Sequence, residues 1–192
     1  MKYLRFALSV VLLSASTTMV FAQSDAHKSS EAPVPSAAQK SFATIKTLAG
    51  EWEGPVTVPE MPEMSGGKPM HASMRVTSRG NVLVHEFQEA GTPLDATKYD
   101  HPVTMLYLDG DQLTLVHYCD AGNRPRMVGK MSPDGKTVEF DFLDVTGNLQ
   151  YGHMQHAKFT IIDENHHTED WTFAGAQGDA SVRAHFDLQR TK

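Results

Sequence analysis

From Glu51 onward, apolar and polar residues alternate in short runs near 52–58, 70–78, 81–88, 102–108, 112–119, 125–131, 136–144, 151–162, 166–174 and 180–190. Successive side chains on an extended strand point to opposite faces, so a period of two predicts strands with one face buried. No long helical period interrupts them. One short helical pattern precedes them: Phe42, Ile45 and Leu48 share a side over Ser41 to Leu48, which predicts a helix plugging one end of a β structure.

The connections between these runs fall into two classes. Arg79-Gly80, Asp109-Gly110, Pro133-Asp134-Gly135 and Glu164-Asn165 are tight-turn signals, whereas 59–69, 89–101, 120–124, 145–150 and 175–179 are longer or looser. Strict up-and-down order puts every tight turn at one end and every longer loop at the other. The fold expected is therefore all-β, a closed up-and-down antiparallel barrel of about ten strands with a short N-terminal helix. In the last run Val182, Ala184, Phe186, Leu188 and Arg190 share one face, and in the first Trp52, Val56 and Val58 do. Closing the barrel brings these two runs together, so Trp52 and Arg190 meet inside the tight-turn end.

The N-terminus changes the setting. A basic start (Lys2, Arg5), an apolar run from Phe6 to Leu13 and Val20-Phe21-Ala22 form the pattern of a secretory signal peptide over 1–22, cleaved after Ala22. The apolar run is too short to span a membrane, and no Cys directly follows the site to carry a lipid. The domain boundaries expected are a signal peptide at 1–22, a Ser/Ala/Pro-rich disordered linker at 23–38 and a barrel domain at 39–192. The location expected is periplasmic or secreted, with no membrane anchor in the mature form. The formal charge is −6 and becomes more negative without Lys2 and Arg5. An acidic chain without a basic run is not built for nucleic acid. A single Cys, Cys119, forms no internal disulfide.

Gly50-x-Trp52 at the start and Arg190 at the end match the general signature of lipocalin-like (calycin) barrels, which the chain resembles. Leu48-Ala49-Gly50-Glu51-Trp52-Glu53-Gly54, Tyr107-Leu108-Asp109-Gly110-Asp111, His117-Tyr118-Cys119 and His166-His167-Thr168-Glu169-Asp170-Trp171 are similar to uncharacterised bacterial secreted proteins with a lipocalin-like domain of unknown function. That resemblance implies the barrel, with Gly50, Trp52 and Arg190 as its closure, and no particular activity. More distantly, Gly50, Trp52 and Gly54 match the opening motif of nitrobindin, with Val56 where that motif has a further Gly. Nitrobindin implies ferric haem bound through a His in the last strand, here His185. Alternation puts His185 on the outward face.

Alternation also selects the lumen. Met74, with Leu83, His85 and Phe87 after the Arg79-Gly80 turn, faces inward. The Asp109-Gly110 turn, read as pairing Leu106 with Leu113, turns Leu113, Leu115, His117 and Cys119 inward. Ala157, Phe159 and Ile161 carry His153 and Gln155 inward; Trp171 and Phe173 carry His167 and Glu169. The ligand-lining residues expected are Met74, His85, Phe87, Leu115, His117, His153, Phe159 and Trp171. His85, His117, Cys119 and His153 fall toward the long-loop end and are of types that hold first-row metals, or else line a wet pocket as hydrogen-bonding groups. His167 falls at the opposite end, about 30 Å from His153 by residue count, and His166-His167 reads mainly as a surface pair. Met61, Met64, Met70 and Met74 suit either soft Cu(I) or a flexible apolar lid. No nucleophile elbow, zincin, phosphate-loop or dinucleotide motif occurs. The leading expectation is a barrel holding a small, largely apolar ligand. A haem or transition-metal protein using lumenal His is the alternative, followed by an acid/base isomerase or cyclase in the same lumen.

Overall fold

The computed structural model describes residues 34–176 and 181–192. The expected signal peptide at 1–22 and linker residues 23–33 lie outside them. Ser36 begins the helix: its hydroxyl accepts from the Gln39 amide while the Gln39 side chain accepts from the Ser36 amide, a capping box. Helix α1 (Ala37–Ile45) runs on as a 3₁₀ turn (Lys46–Leu48), so residues 36–38 belong to the helix rather than to the linker. Phe42, Ile45 and Leu48 are its buried face. It packs against β5 (Val103–Asp109), β6 (Gln112–Tyr118) and β7 (Asn123–Met131).

The remaining strands are β1 (Gly50–Gly54), β2 (Val56–Thr57), β3 (Met70–Thr77), β4 (Val82–Glu89), β8 (Thr137–Gly147), β9 (His153–Asp163), β10 (His166–Ala174) and β11 (Ser181–Arg190). From β3 to β11 each strand pairs antiparallel with the next; β1 pairs with β3, and both β1 and β2 pair with β11. β1 and β2 are one wall interrupted at Pro55, which has no amide hydrogen for the ladder. The result is the expected closed, ten-walled, up-and-down barrel.

Trp52 stands directly opposite Arg190 across the β1–β11 seam. The guanidinium lies 4.0 Å over the Trp52 ring and donates to the carbonyls of Ala49 (2.8 Å), Thr47 (3.2 Å) and Glu164 (2.8 Å). It thus ties the helix exit and the β9–β10 turn to the seam. Trp52, fully buried, donates from Nε1 to the Leu48 carbonyl at 2.8 Å. Gly50 belongs to this closure for a steric reason: at φ 149° a Cβ there would run into the Arg190 guanidinium.

Register explains which side chains reach the interior. Met74 pairs with His85 and Ala72 with Phe87, so these four share the lumen. The β5–β6 hairpin pairs Leu108 with Leu113 and Leu106 with Leu115, two residues away from the expected register. A slip of two conserves the face, so Leu113, Leu115 and His117 still point inward. On β9 the expectation fails. Thr172 pairs with His156 but Phe173 with Met154, so Gln155 is an extra bulged residue. Beyond the bulge the faces exchange: Met154 turns into the barrel and His153 turns out of it.

Candidate functional site

The interior is graded from floor to mouth. Trp52 sits at the floor with the His167 ring against it, centroids 4.2 Å apart and edge to face. His167 is fully buried, which corrects its reading as part of a surface pair. Its Nε2 lies 3.0 Å from Glu169 Oε1, and His85 Nε2 approaches the same oxygen at 3.3 Å. The His85 contact is close enough for an ionic interaction but is not aligned as a hydrogen bond. Trp171 Nε1 donates to Glu169 Oε2 at 2.9 Å. Glu169 is completely buried. Burial alone pushes its carboxyl up, but the charge of His85 and the hydrogen bond with His167 outweigh that and hold it down at about 2.

His85 and His167 therefore share one carboxylate, although residue counting along the strands puts them at opposite ends. Barrel strands tilt by about 35–45°, so equal counts on separate strands do not mean equal heights. Glu169, read from sequence only as an inward residue of its strand, is the centre of the interior's polar chemistry. The His167-x-Glu169-x-Trp171 alternation was the available signal. Its partner His85 is on β4, which β10 meets only across the lumen.

One level higher, His117 Nδ1 lies 2.8 Å from Thr104 Oγ1, with both residues buried. Its Nε2 has no hydrogen-bond partner among the described residues. Burial, helped by the charge of His85, pushes the His117 imidazole down to about 4, so it is neutral at neutral pH. A cavity of about 300 Å³ opens above it, walled by Phe87, Trp171, Phe186, Met70, Met154 and Pro102. A wider recess of about 590 Å³ adjoins this cavity and shares Asp100, Pro102, His117 and Met154 with it.

Of the eight expected lining residues, Phe87, His117 and Trp171 line the cavity. Met74, His85, Leu115 and Phe159 are buried core side chains and line neither space. His153 is displaced by the bulge and stacks on Phe142, centroids 4.7 Å apart. Met70, Gln88, Glu89, Asp100, Pro102, Met154, Ala184 and Phe186 complete the lining. The sequence marks Met70 as a lid or copper-binding methionine and Ala184 and Phe186 as sharing the face of Arg190, and it singles out none of the others as lining.

The four expected metal ligands are not brought together. His85 is committed to Glu169, His117 to Thr104, His153 to Phe142, and Cys119 lies half-buried at the mouth with its thiol pushed up by burial. Among the described residues no group of three or more His, Cys, Asp or Glu side chains is arranged to hold a metal ion. The methionines also part company: Met74 is buried, Met70 lines the cavity and Met64 is exposed. His185 Nδ1 lies 2.7 Å from Asp170 Oδ1, with the His185 side chain 46% exposed. It faces outward, so it does not fit a haem held in the lumen through the last strand.

No family model matches the chain, and no curated protein matches its sequence. Solved structures do match. Rv2717c from M. tuberculosis superposes with a TM-score of 0.55 at 13% identity, covering 79% of this chain and 98% of that one. The likeness is one of fold. A DUF3598-family protein of unknown function from Nostoc punctiforme gives a TM-score of 0.48 at 10% identity, over 77% of this chain and 49% of that one. The match to Rv2717c shows the barrel fold alone, and it carries neither a lipocalin affiliation nor any information about export.

Proposed function

We propose that this protein is an exported carrier that holds a small, largely apolar molecule at the long-loop end of its barrel. The observation that carries this reading is the cavity of about 300 Å³ walled by aromatic and thioether side chains, with one buried, unpartnered imidazole nitrogen at its base. Binding sites for small molecules have this make-up: mostly apolar walls and few placed polar groups. The Glu169 cluster lies beneath the cavity and supports it, since Trp171 is both a partner of Glu169 and part of the wall. Export rests on the N-terminal sequence alone.

Mass spectrometry of the protein recovered from periplasm or medium tests both halves of the reading. The expected chain starts at Gln23, and solvent releases a small organic molecule from it. Purified protein also binds the neutral fluorophore N-phenyl-1-naphthylamine, and Ala184→Trp, which fills the cavity from β11, lowers that affinity at least tenfold. If nothing co-purifies and Ala184→Trp binds the fluorophore as well as the parent does, the carrier reading fails.

A further inference from the structure

We propose that the ligand is a neutral alcohol or phenol whose hydroxyl is seated on His117 Nε2, and that the site rejects carboxylates. This rests on the carrier reading and narrows it to a chemical class. A buried polar atom without a partner is costly, so a ligand that supplies one is favoured over a ligand of the same shape that does not. His117 is 2% exposed, lines both connected spaces and leaves Nε2 free while Thr104 holds Nδ1.

The tautomer decides what Nε2 wants. If Thr104 donates to Nδ1, then Nε2 carries the proton and donates; if Nδ1 donates to Thr104, then Nε2 accepts. A hydroxyl both donates and accepts, so it satisfies His117 either way, whereas a ketone or ester suits one tautomer only.

Charge excludes the commoner head group of amphiphiles. Among the described residues no Lys or Arg lines either space, whereas Asp100, Glu89 and Asp120 do. Glu89 is paired with Lys68 at 2.7 Å, whereas among the described residues Asp100 accepts only the Asp120 amide, at 3.1 Å. The Glu169 carboxylate lies behind Trp171. An entering carboxylate would be desolvated with negative charge at the mouth and below, and would find no Lys or Arg among the described lining residues to pair with. The neutrality of His117 at ordinary pH agrees with this but is not needed for it.

The test compares three ligands of one shape by calorimetry at pH 7.5: naphthalene without a head group, naphthol with a neutral one and naphthoate with an anionic one. The protein is expected to bind naphthol about tenfold more tightly than either of the others. His117→Leu should cancel the advantage of naphthol over naphthalene, and His117→Gln, which keeps a neutral hydrogen-bonding group, should restore part of it. Naphthoate binding as tightly as naphthol overturns the head-group assignment and leaves the carrier reading standing. So does a naphthol advantage that survives in His117→Leu. If none of the three binds to the parent protein, the carrier reading itself falls.

Discussion

Glu169 and His117, both buried, make stability depend on pH, and both act in the same direction. His117 titrates at about 4 when folded against an ordinary value of 6.5, so between those pH values the unfolded chain binds the extra proton. Its contribution is fully present above pH 6.5 and is lost as the pH falls to 4. Glu169 titrates at about 2 against 4.5, so its contribution is present above pH 4.5 and is lost on the way to pH 2. Each shift corresponds to about 3 kcal/mol. Urea midpoints measured against pH should therefore fall in two legs, and His117→Gln should flatten the upper leg while leaving the lower one. An unchanged slope between pH 6.5 and 4 in that variant would show that His117 is not buried in its neutral form. The inward direction of both residues is legible in the alternation of β6 and β10. Their partners are not: Thr104 is found only once the β5–β6 register is known, and His85 reaches Glu169 across the lumen.

At the scale of the elements, the strands and their turns follow closely from period-two patterning, because one face of each strand must be buried. The helix start was legible too, in Ser36-x-x-Gln39, yet expectation began it at Ser41, where the apolar pattern begins. The β9 bulge was not legible: one extra residue at Gln155 leaves composition and alternation nearly unchanged but reverses every face beyond it. Close approach between elements is a second such feature. β1 and β11 meet so tightly at Gly54 that a Cβ there would collide with the Asp187 carbonyl oxygen. Gly54→Ala should separate the two strands and cost about 1–3 kcal/mol. Gly67→Ala, in a loop where nothing lies within 4 Å of the added carbon, should stay within about 0.5 kcal/mol of the parent. Equal urea midpoints for the two variants would mean that the seam yields without strain.

For the whole molecule, the seam decides whether a curled sheet becomes a barrel. Arg190 joins β11, the Trp52 ring, the helix exit and the β9–β10 turn through one guanidinium. Arg190→Ala should lower stability by about 2–4 kcal/mol, combining a cation–π contact with three hydrogen bonds. Arg190→Lys should recover little, since an ammonium lacks the planar fork that reaches three carbonyls. A lysine variant as stable as the parent in thermal unfolding would reduce the closure to charge alone.

By itself, the sequence determined the number of walls, which end carries the tight turns, the Trp52–Arg190 closure and the inward face of most strands. All of these follow from local rules: a period of two, turn chemistry and the need to join the first strand to the last. Only the tertiary structure decided that His85, His167 and Trp171 converge on Glu169, that His153 leaves the lumen and Met154 enters it, and that a cavity lies above an unsatisfied His117. Those outcomes depend on strand tilt, on a single bulge and on contacts between strands that share no hydrogen bond, and none of these leaves a local period in the chain.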